Sequence, residues 1–256
     1  MNISYDLLFN PAVIYDTLFW GIQTVSEYPN LEDFKLKDEK KYNQWCEFVH
    51  QKFGANELTN DNYLKYSKLY AEFSKVLSFC YATIENKNNE ISRKLKIISE
   101  DTEKENIVKI LDVLNYFDSM GNSASPKFEF TMCGLNLINY DIPILSKKII
   151  NLNGFDNNKT LPSIIKSYLT SKPWNSNIID VKSSYNMNAN MPYVDFDTMC
   201  DFMGLKQGDN VIKQDISKYY WENIDNDPET TMKNINYNLA NIINVNIQFV
   251  NRFRHI

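Results

Sequence analysis

The stretch Gly134-Leu135-Asn136-Leu137-Ile138-Asn139-Tyr140-Asp141-Ile142-Pro143-Ile144-Leu145 decides how the chain is read. The apolar run before it, Phe128-Glu129-Phe130-Thr131-Met132-Cys133, reads as a buried strand. After it, Ser146-Lys147-Lys148-Ile149-Ile150 continues the helical spacing of Ile142, Leu145 and Ile149. A strand ends, the chain turns at Gly-x-Asn, and a helix opens at Asp141. Asp141 fits an N-cap, and Pro143 fits the first helical turn. A carboxylate in this place stands at the carboxyl end of a strand, where open α/β sheets hold ligands. The plainer reading is a helix cap and nothing more.

Outward from that stretch the elements alternate. Pro11 to Trp20 is a short apolar strand carrying one acid, Asp16. Residues 21–70 are polar and helical in places; Trp45, Phe48, Val49 and Phe53 recur at the spacing of an amphipathic helix packing on the sheet. Lys75 to Glu85 and Glu90 to Ser99 form a hairpin around Asn86-Lys87-Asn88-Asn89, where Asn tolerates left-handed dihedrals. Glu100 to Met120 is a helix with Ile107, Ile110, Leu111, Leu114 and Phe117 on one face. Leu161 to Leu169 is a short helix, and Asp180 ends the last strand. Asp195 to Leu205 is a helix with Phe196, Met199, Phe202 and Met203 inward. Asp227-Pro228 opens a final helix that runs to about Phe253.

Composition narrows the class. The chain has 256 residues, 43% of them hydrophobic and 14% aromatic, enough for one α/β core. A net charge of −5 excludes a wholly basic nucleic-acid binder but leaves room for a local basic groove. Cys46, Cys80, Cys133 and Cys200 form no CxxC pair, so a zinc ribbon is not expected. No run reaches the roughly 18 apolar residues of a membrane helix. These features point to a soluble, cytoplasmic protein with no membrane partner.

The wording Gly-x-Asn-x-x-x-Tyr-Asp-Ile-Pro-x-Leu over 134–145 resembles the second motif of the DEDD (DnaQ-like) 3′–5′ exonucleases. The nearest type is the phage and bacterial group related to the exonuclease domain of family-B DNA polymerases. Tyr70-Ala71-Glu72-Phe73-Ser74-Lys75-Val76 is similar to that family's entry into the second strand, and Lys172-Pro173-Trp174 to its lead into the last. The resemblance covers roughly 11–21 and 69–253. It implies an RNase H-like α/β domain over 1–256: a central five-stranded mixed sheet, helices on both faces, and an insertion at about 21–70. The first three strands would pair antiparallel, and the strands ending near Gly134 and Asp180 would add in parallel.

In such enzymes four carboxylates hold two Mg²⁺ or Mn²⁺ ions that clamp the attacking water and the leaving oxygen. The resemblance carries Asp16 and Asp141 onto metal positions and Tyr237 onto the residue that positions water. Two positions depart: Leu18 stands where the family has Glu, and Asn241 where it has Asp, a weaker oxygen ligand. The formal charge of the site falls from about −4 to −2, which holds one ion poorly. Asp180 and Glu27 are candidate replacements. Asn136, Tyr140 and Lys172, with Lys147 and Lys148, are candidates for contacting nucleic acid by stacking and charge, although ordinary solvated lysines look the same. Three functions follow as expectations: a weakly active exonuclease on single-stranded DNA 3′ ends, with RNA less expected; a non-cutting module that binds such ends or a replication partner; or a protein-binding, virion-type role. The composition hints at phage or AT-rich bacterial origin.

Overall fold

A computed structural model describes residues 13–87, 90–124, 130–153, 161–170, 177–186 and 194–253. Lys172-Pro173-Trp174 and the loop 154–160 lie outside these residues. The described strands are β1 (Thr17–Ser26), β2 (Ser74–Lys87), β3 (Glu90–Ile98), β4 (Thr131–Gly134) and β5 (Ile178–Asp180). The helices, in chain order, are α1 (Leu31–Lys37), α2 (Glu39–Lys52), α3 (Asn60–Ser67), α4 (Glu103–Ser123), α5 (Ile142–Asn153), α6 (Ser163–Thr170), α7 (Val181–Tyr185), α8 (Phe196–Met203), α9 (Ile216–Asn223) and α10 (Pro228–Phe253). The sheet order is β3-β2-β1-β4-β5. β1, β2 and β3 pair antiparallel, and β4 and β5 add in parallel beside β1.

Side-chain alternation in β1 builds a core on each face of the sheet. Leu18, Trp20 and Ile22 pack with Ile107, Ile110 and Leu114 of α4 and with Ile142, Leu145 and Ile149 of α5. Phe19, on the opposite face, packs with Met199 of α8 and with Leu239, Ile243 and Phe249 of α10. The hydrophobic faces of α4 and α5 thus cover one side of the sheet, and those of α8 and α10 the other.

Beyond Phe202, expected inward but 78% exposed, two local findings differ from the sequence expectations. β1 begins after a 3-10 turn at Val13–Asp16 and continues to Ser26, six residues beyond Trp20. Its later part holds its place by pairing with β2 from Phe19↔Ala82 to Ser26↔Ser74, through a register shift at Gln23/Thr24. Second, Trp45 and Val49 do not make a helix flat on the sheet. They join Phe34, Tyr63 and Phe73 in a separate aromatic cluster of α1, α2 and α3, with Phe34–Tyr63 centroids 5.2 Å apart and Trp45–Phe73 5.0 Å. Such ring pairs stabilise beyond their area burial by about 1 kcal/mol each.

The caps agree with local chemistry. Thr102 and Glu105 form a capping box at the start of α4. Asp195 caps α8, and Gly204 ends it with φ 61°. Asp227 accepts the Thr230 amide at 3.1 Å ahead of Pro228.

Candidate functional site

The turn after β4 is tight because of one glycine and one asparagine. A Cβ on Gly134 would collide with the Trp20 carbonyl oxygen and come within 2.7 Å of Leu137. Asn136 takes the left-handed conformation, φ 61°, which Asn adopts more readily than most residues. From Leu137 to Asp141 the backbone is a π-helical turn that runs straight into α5. Asp141 therefore does not open the helix as its N-cap; helical backbone precedes it by a turn. Its carboxyl group is turned onto β1 instead, with Oδ2 3.8 Å from where a Cβ on Gly21 would stand.

Asp141 is 4% exposed. Burial pushes it well above the ordinary carboxylate range; the Asp180 charge adds to the push, and a backbone hydrogen bond from Ile22 opposes it. Asp141 is thus favoured as a neutral acid. Asp180 is fully buried and also raised by burial. It accepts the Ile138 amide at 2.9 Å and the Ser183 amide at 3.0 Å, capping α7.

A cleft of about 240 Å³ opens beside Asp141, along the middle of β1 and just past the carboxyl end of β4. Gly21, Gln23, Asn136, Tyr140, Tyr185 and Phe196 are on its wall. The Tyr140 hydroxyl is engaged inward, with Thr24 Oγ1 and with the Lys68 carbonyl at 3.1 Å, so the ring rather than the hydroxyl is what the cleft meets. Asn136 Oδ1 is buried there without a hydrogen-bond partner.

The structure brings together Asp141, Asn136 and Tyr140, but not the other expected site residues. Asp16 is exposed at the amino end of β1. Five residues of chain, about 16 Å at strand rise, separate it from Gly21, so Asp16 and Asp141 do not share an ion. Leu18 is fully buried on the opposite face, in the α4 and α5 core. The strand positions that face Asp141 are Gly21 and, two residues on, Gln23, whose amide donates to the Thr24 carbonyl at 3.1 Å. Neither of these strand positions beside Asp141 carries an acid.

The side chains nearest Gly21 are Leu239 and Ile243, at 3.6 and 3.7 Å. Tyr237 and Asn241 lie two residues earlier on α10, about 200° around the helix. Asn241 Oδ1 accepts the Gly208 amide at 2.7 Å, and the Tyr237 ring lies against Gly208. Neither lines the Asp141 cleft. Glu27 is paired with Lys41, Lys147 with Glu72 at 2.7 Å, and Lys148 with Glu103 at 2.8 Å, so these charges serve the surface of the fold. Lys172 lies outside the described residues.

Among the described residues no group of three His, Cys, Asp or Glu side chains is placed to hold a metal ion. The donor set at the cleft, one buried neutral acid beside glycine, glutamine and aliphatic side chains, does not fit a two-ion Mg²⁺ or Mn²⁺ centre, which needs several anionic oxygens. Among the described residues no helix is long and apolar enough to cross a membrane. No family model, curated protein or solved structure matches the chain.

Proposed function

We propose that this chain is a non-hydrolytic protein of RNase H-like, exonuclease-related fold, whose cleft receives a single-stranded nucleic-acid end, DNA in preference to RNA, without cutting it. The observation that carries this reading is Gly21 opposite Asp141. Where a second acid would complete a metal site, the strand presents a bare Cα and the facing helix presents Leu239 and Ile243. The sheet order with its antiparallel and parallel halves supports the fold assignment. The aromatic rings of Tyr140, Tyr185 and Phe196 on the cleft wall support the ligand, because every base offers a π-face for stacking.

The test is a 3′-labelled single strand incubated with the protein in Mg²⁺ and then Mn²⁺, beside a mobility shift on the same strand. The reading expects retardation without shortening of the strand. It further expects Tyr185→Ala to weaken binding by about tenfold, the scale of one lost stacking contact. Shortening of the strand that disappears in Asp141→Ala would restore the active-exonuclease reading. Absence of both cleavage and retardation would move the function to a protein partner.

A further inference from the structure

The wall of the Asp141 cleft carries two polar groups that the fold itself leaves with hydrogen-bonding capacity. Asn136 stands at the start of the π-helical turn, where an asparagine ordinarily turns its side-chain oxygen onto an amide of the first turn. Here it makes no such cap bond. Its backbone is fixed in the left-handed conformation, φ 61°, and its carbonyl accepts the Tyr140 amide at 3.0 Å. Its Oδ1 is buried at the cleft and makes no hydrogen bond. A buried oxygen without a donor is costly, and a ligand N–H would relieve that cost.

Asp141 is the second group. It accepts the Ile22 amide, is almost fully buried, and among the described residues makes no ion pair within 4.0 Å. Gly21, Leu239 and Ile242 share the wall with it. A carboxyl group enclosed in this way without a cation keeps its proton and offers an O–H donor. One acceptor and one donor thus line the same cleft.

The rest of the wall defines the shape of the ligand. Tyr140, Tyr185 and Phe196 give ring surfaces, and Met199, Leu239 and Ile242 give apolar surface. The volume, about 240 Å³, lies just below the usual range of small-molecule sites, about 300–1,000 Å³, and suits one planar ring system rather than a run of stacked bases. An unpaired nucleobase has this chemistry: a flat face for stacking, and an edge on which an N–H stands beside an acceptor.

We propose that the cleft reads the Watson–Crick edge of one unpaired base, the base N–H donating to Asn136 Oδ1 and the adjacent acceptor taking the Asp141 O–H. This rests on the nucleic-acid reading above and adds to it a reason for a single strand, because in a duplex the same edge is already paired. Stacking alone does not depend on that edge; the two polar groups do. Lys182 on the same wall brings positive charge for an adjoining phosphate.

The test compares three single-stranded hexamers by fluorescence anisotropy with the full chain: thymidylate, 3-methylthymidylate, and an abasic strand. Thymine is chosen because it has an acceptor on either side of its ring N–H. The 3-methyl group removes that N–H and keeps the ring face and the charge. The 3-methyl strand is expected to bind roughly tenfold more weakly than thymidylate, the scale of a buried acceptor left unpaired. The abasic strand should be weaker again, having lost stacking as well. Asn136→Gly keeps the turn, since glycine takes the left-handed conformation freely, and its thermal transition checks that. It should bind thymidylate only as well as the native protein binds the 3-methyl strand, and should no longer distinguish the two. Equal binding of thymidylate and 3-methylthymidylate, with a weaker abasic strand, would overturn the edge reading and leave the nucleic-acid reading standing. Equal binding of all three would overturn it too, by assigning affinity to the phosphates. Continued discrimination by Asn136→Gly would overturn the role of Asn136. Binding of none of the three would overturn the nucleic-acid reading itself and this inference with it.

Discussion

Two clefts, the one beside Asp141 and one of about 870 Å³ walled by Lys75, Tyr220 and the start of α10, treat a buried ionisable group in mirror-image ways. In one, Asp141 is enclosed by apolar walls and glycine, with another acid as its charged neighbour. In the other, Lys75 is enclosed by Tyr220 and Trp221, and the carboxylate near it is spent on Lys148. Burial pushes the acid up and the amine down, so both drift toward neutrality. Neither cleft gains its chemistry from an ion pair. The difference lies in what each group offers: a carboxylic acid that keeps its proton is a hydrogen-bond donor and a poor metal ligand, whereas an ammonium between two rings is a cation held against their faces.

The largest expected effect comes from breaking the Asp141 side. Gly21→Asp places a second acid beside the first in an apolar wall, and should lower stability at pH 7 by about 3 kcal/mol, the scale of an unpaired buried charge. The loss should shrink at pH 5, because lower pH favours the uncharged forms that burial already favours; urea melts at the two pH values measure it. An equal loss at both would mean that shape, and not charge, is resisted there.

On the Lys75 side the comparable break is Trp221→Ala. It removes one wall of the cage and the indole N–H that donates to Ser26 Oγ at 2.9 Å. A loss of about 2 kcal/mol is expected, below that of a fully buried Trp because Trp221 is only half-buried. With Lys75 returned to water, its titration should move up toward that of an ordinary lysine, as read by the pH dependence of amine labelling.

Two further variants sharpen the comparison through the sign of their pH dependence. An acid raised on folding keeps its proton in the native state after the unfolded chain has lost its own. Stability then falls as pH rises from about 4. Asp141→Asn should remove that part of the fall, leaving stability unchanged near pH 4 and raised at pH 7; Asp180, shifted in the same direction, keeps a residual slope. A lysine lowered on folding gives the opposite slope. Stability rises with pH from about 8, the native value, to about 10.5, the unfolded one. Lys75→Met should flatten that rise while its stem keeps packing on Tyr220 and Trp221. Thermal melts across pH 4 to 10 show both, and slopes of the same sign would sink the comparison.

The smallest effect is the control for the first. Gly21→Ala adds a methyl group whose nearest neighbours are at 3.6 to 3.8 Å, ordinary contact. Its stability should change by no more than about 0.5 kcal/mol, since replacing glycine within a strand also removes freedom from the unfolded chain.

Much of the fold was legible locally. The pairing of β2 with β3, the apolar face of α4, the cap Asp195 with Gly204, and the Asp227-Pro228 start of α10 are all short-range patterns that the sequence placed, although β2 runs on through Asn86 and Lys87, expected in the turn. The strand–turn–helix at 134–145 was legible too, except that Asp141 is a turn inside helical backbone and not at its cap. The site was less legible. Asp16 looked like the strand acid because it is the acid in the apolar run. The continuation of β1 through Gly21 to Ser26 has no apolar–polar signature strong enough to extend that strand past Trp20. On α10, Tyr237 and Asn241 were picked by spacing, which shows that two residues share a face but not which face meets the sheet.

The sequence by itself determined where most strands and helices form, because hydrophobic period, caps and turn residues act over a few residues. It also determined that the cleft stretch needs Gly134 and Asn136 for its turn. Only the tertiary structure decided that Asp141 meets Gly21 and Gln23, that Leu239 and Ile243 close the facing side, and that Lys75 lies between Tyr220 and Trp221. The reason is physical: register between segments a hundred residues apart is set by packing of whole faces, and the charge state of a buried group is set by which distant neighbours that packing brings to it.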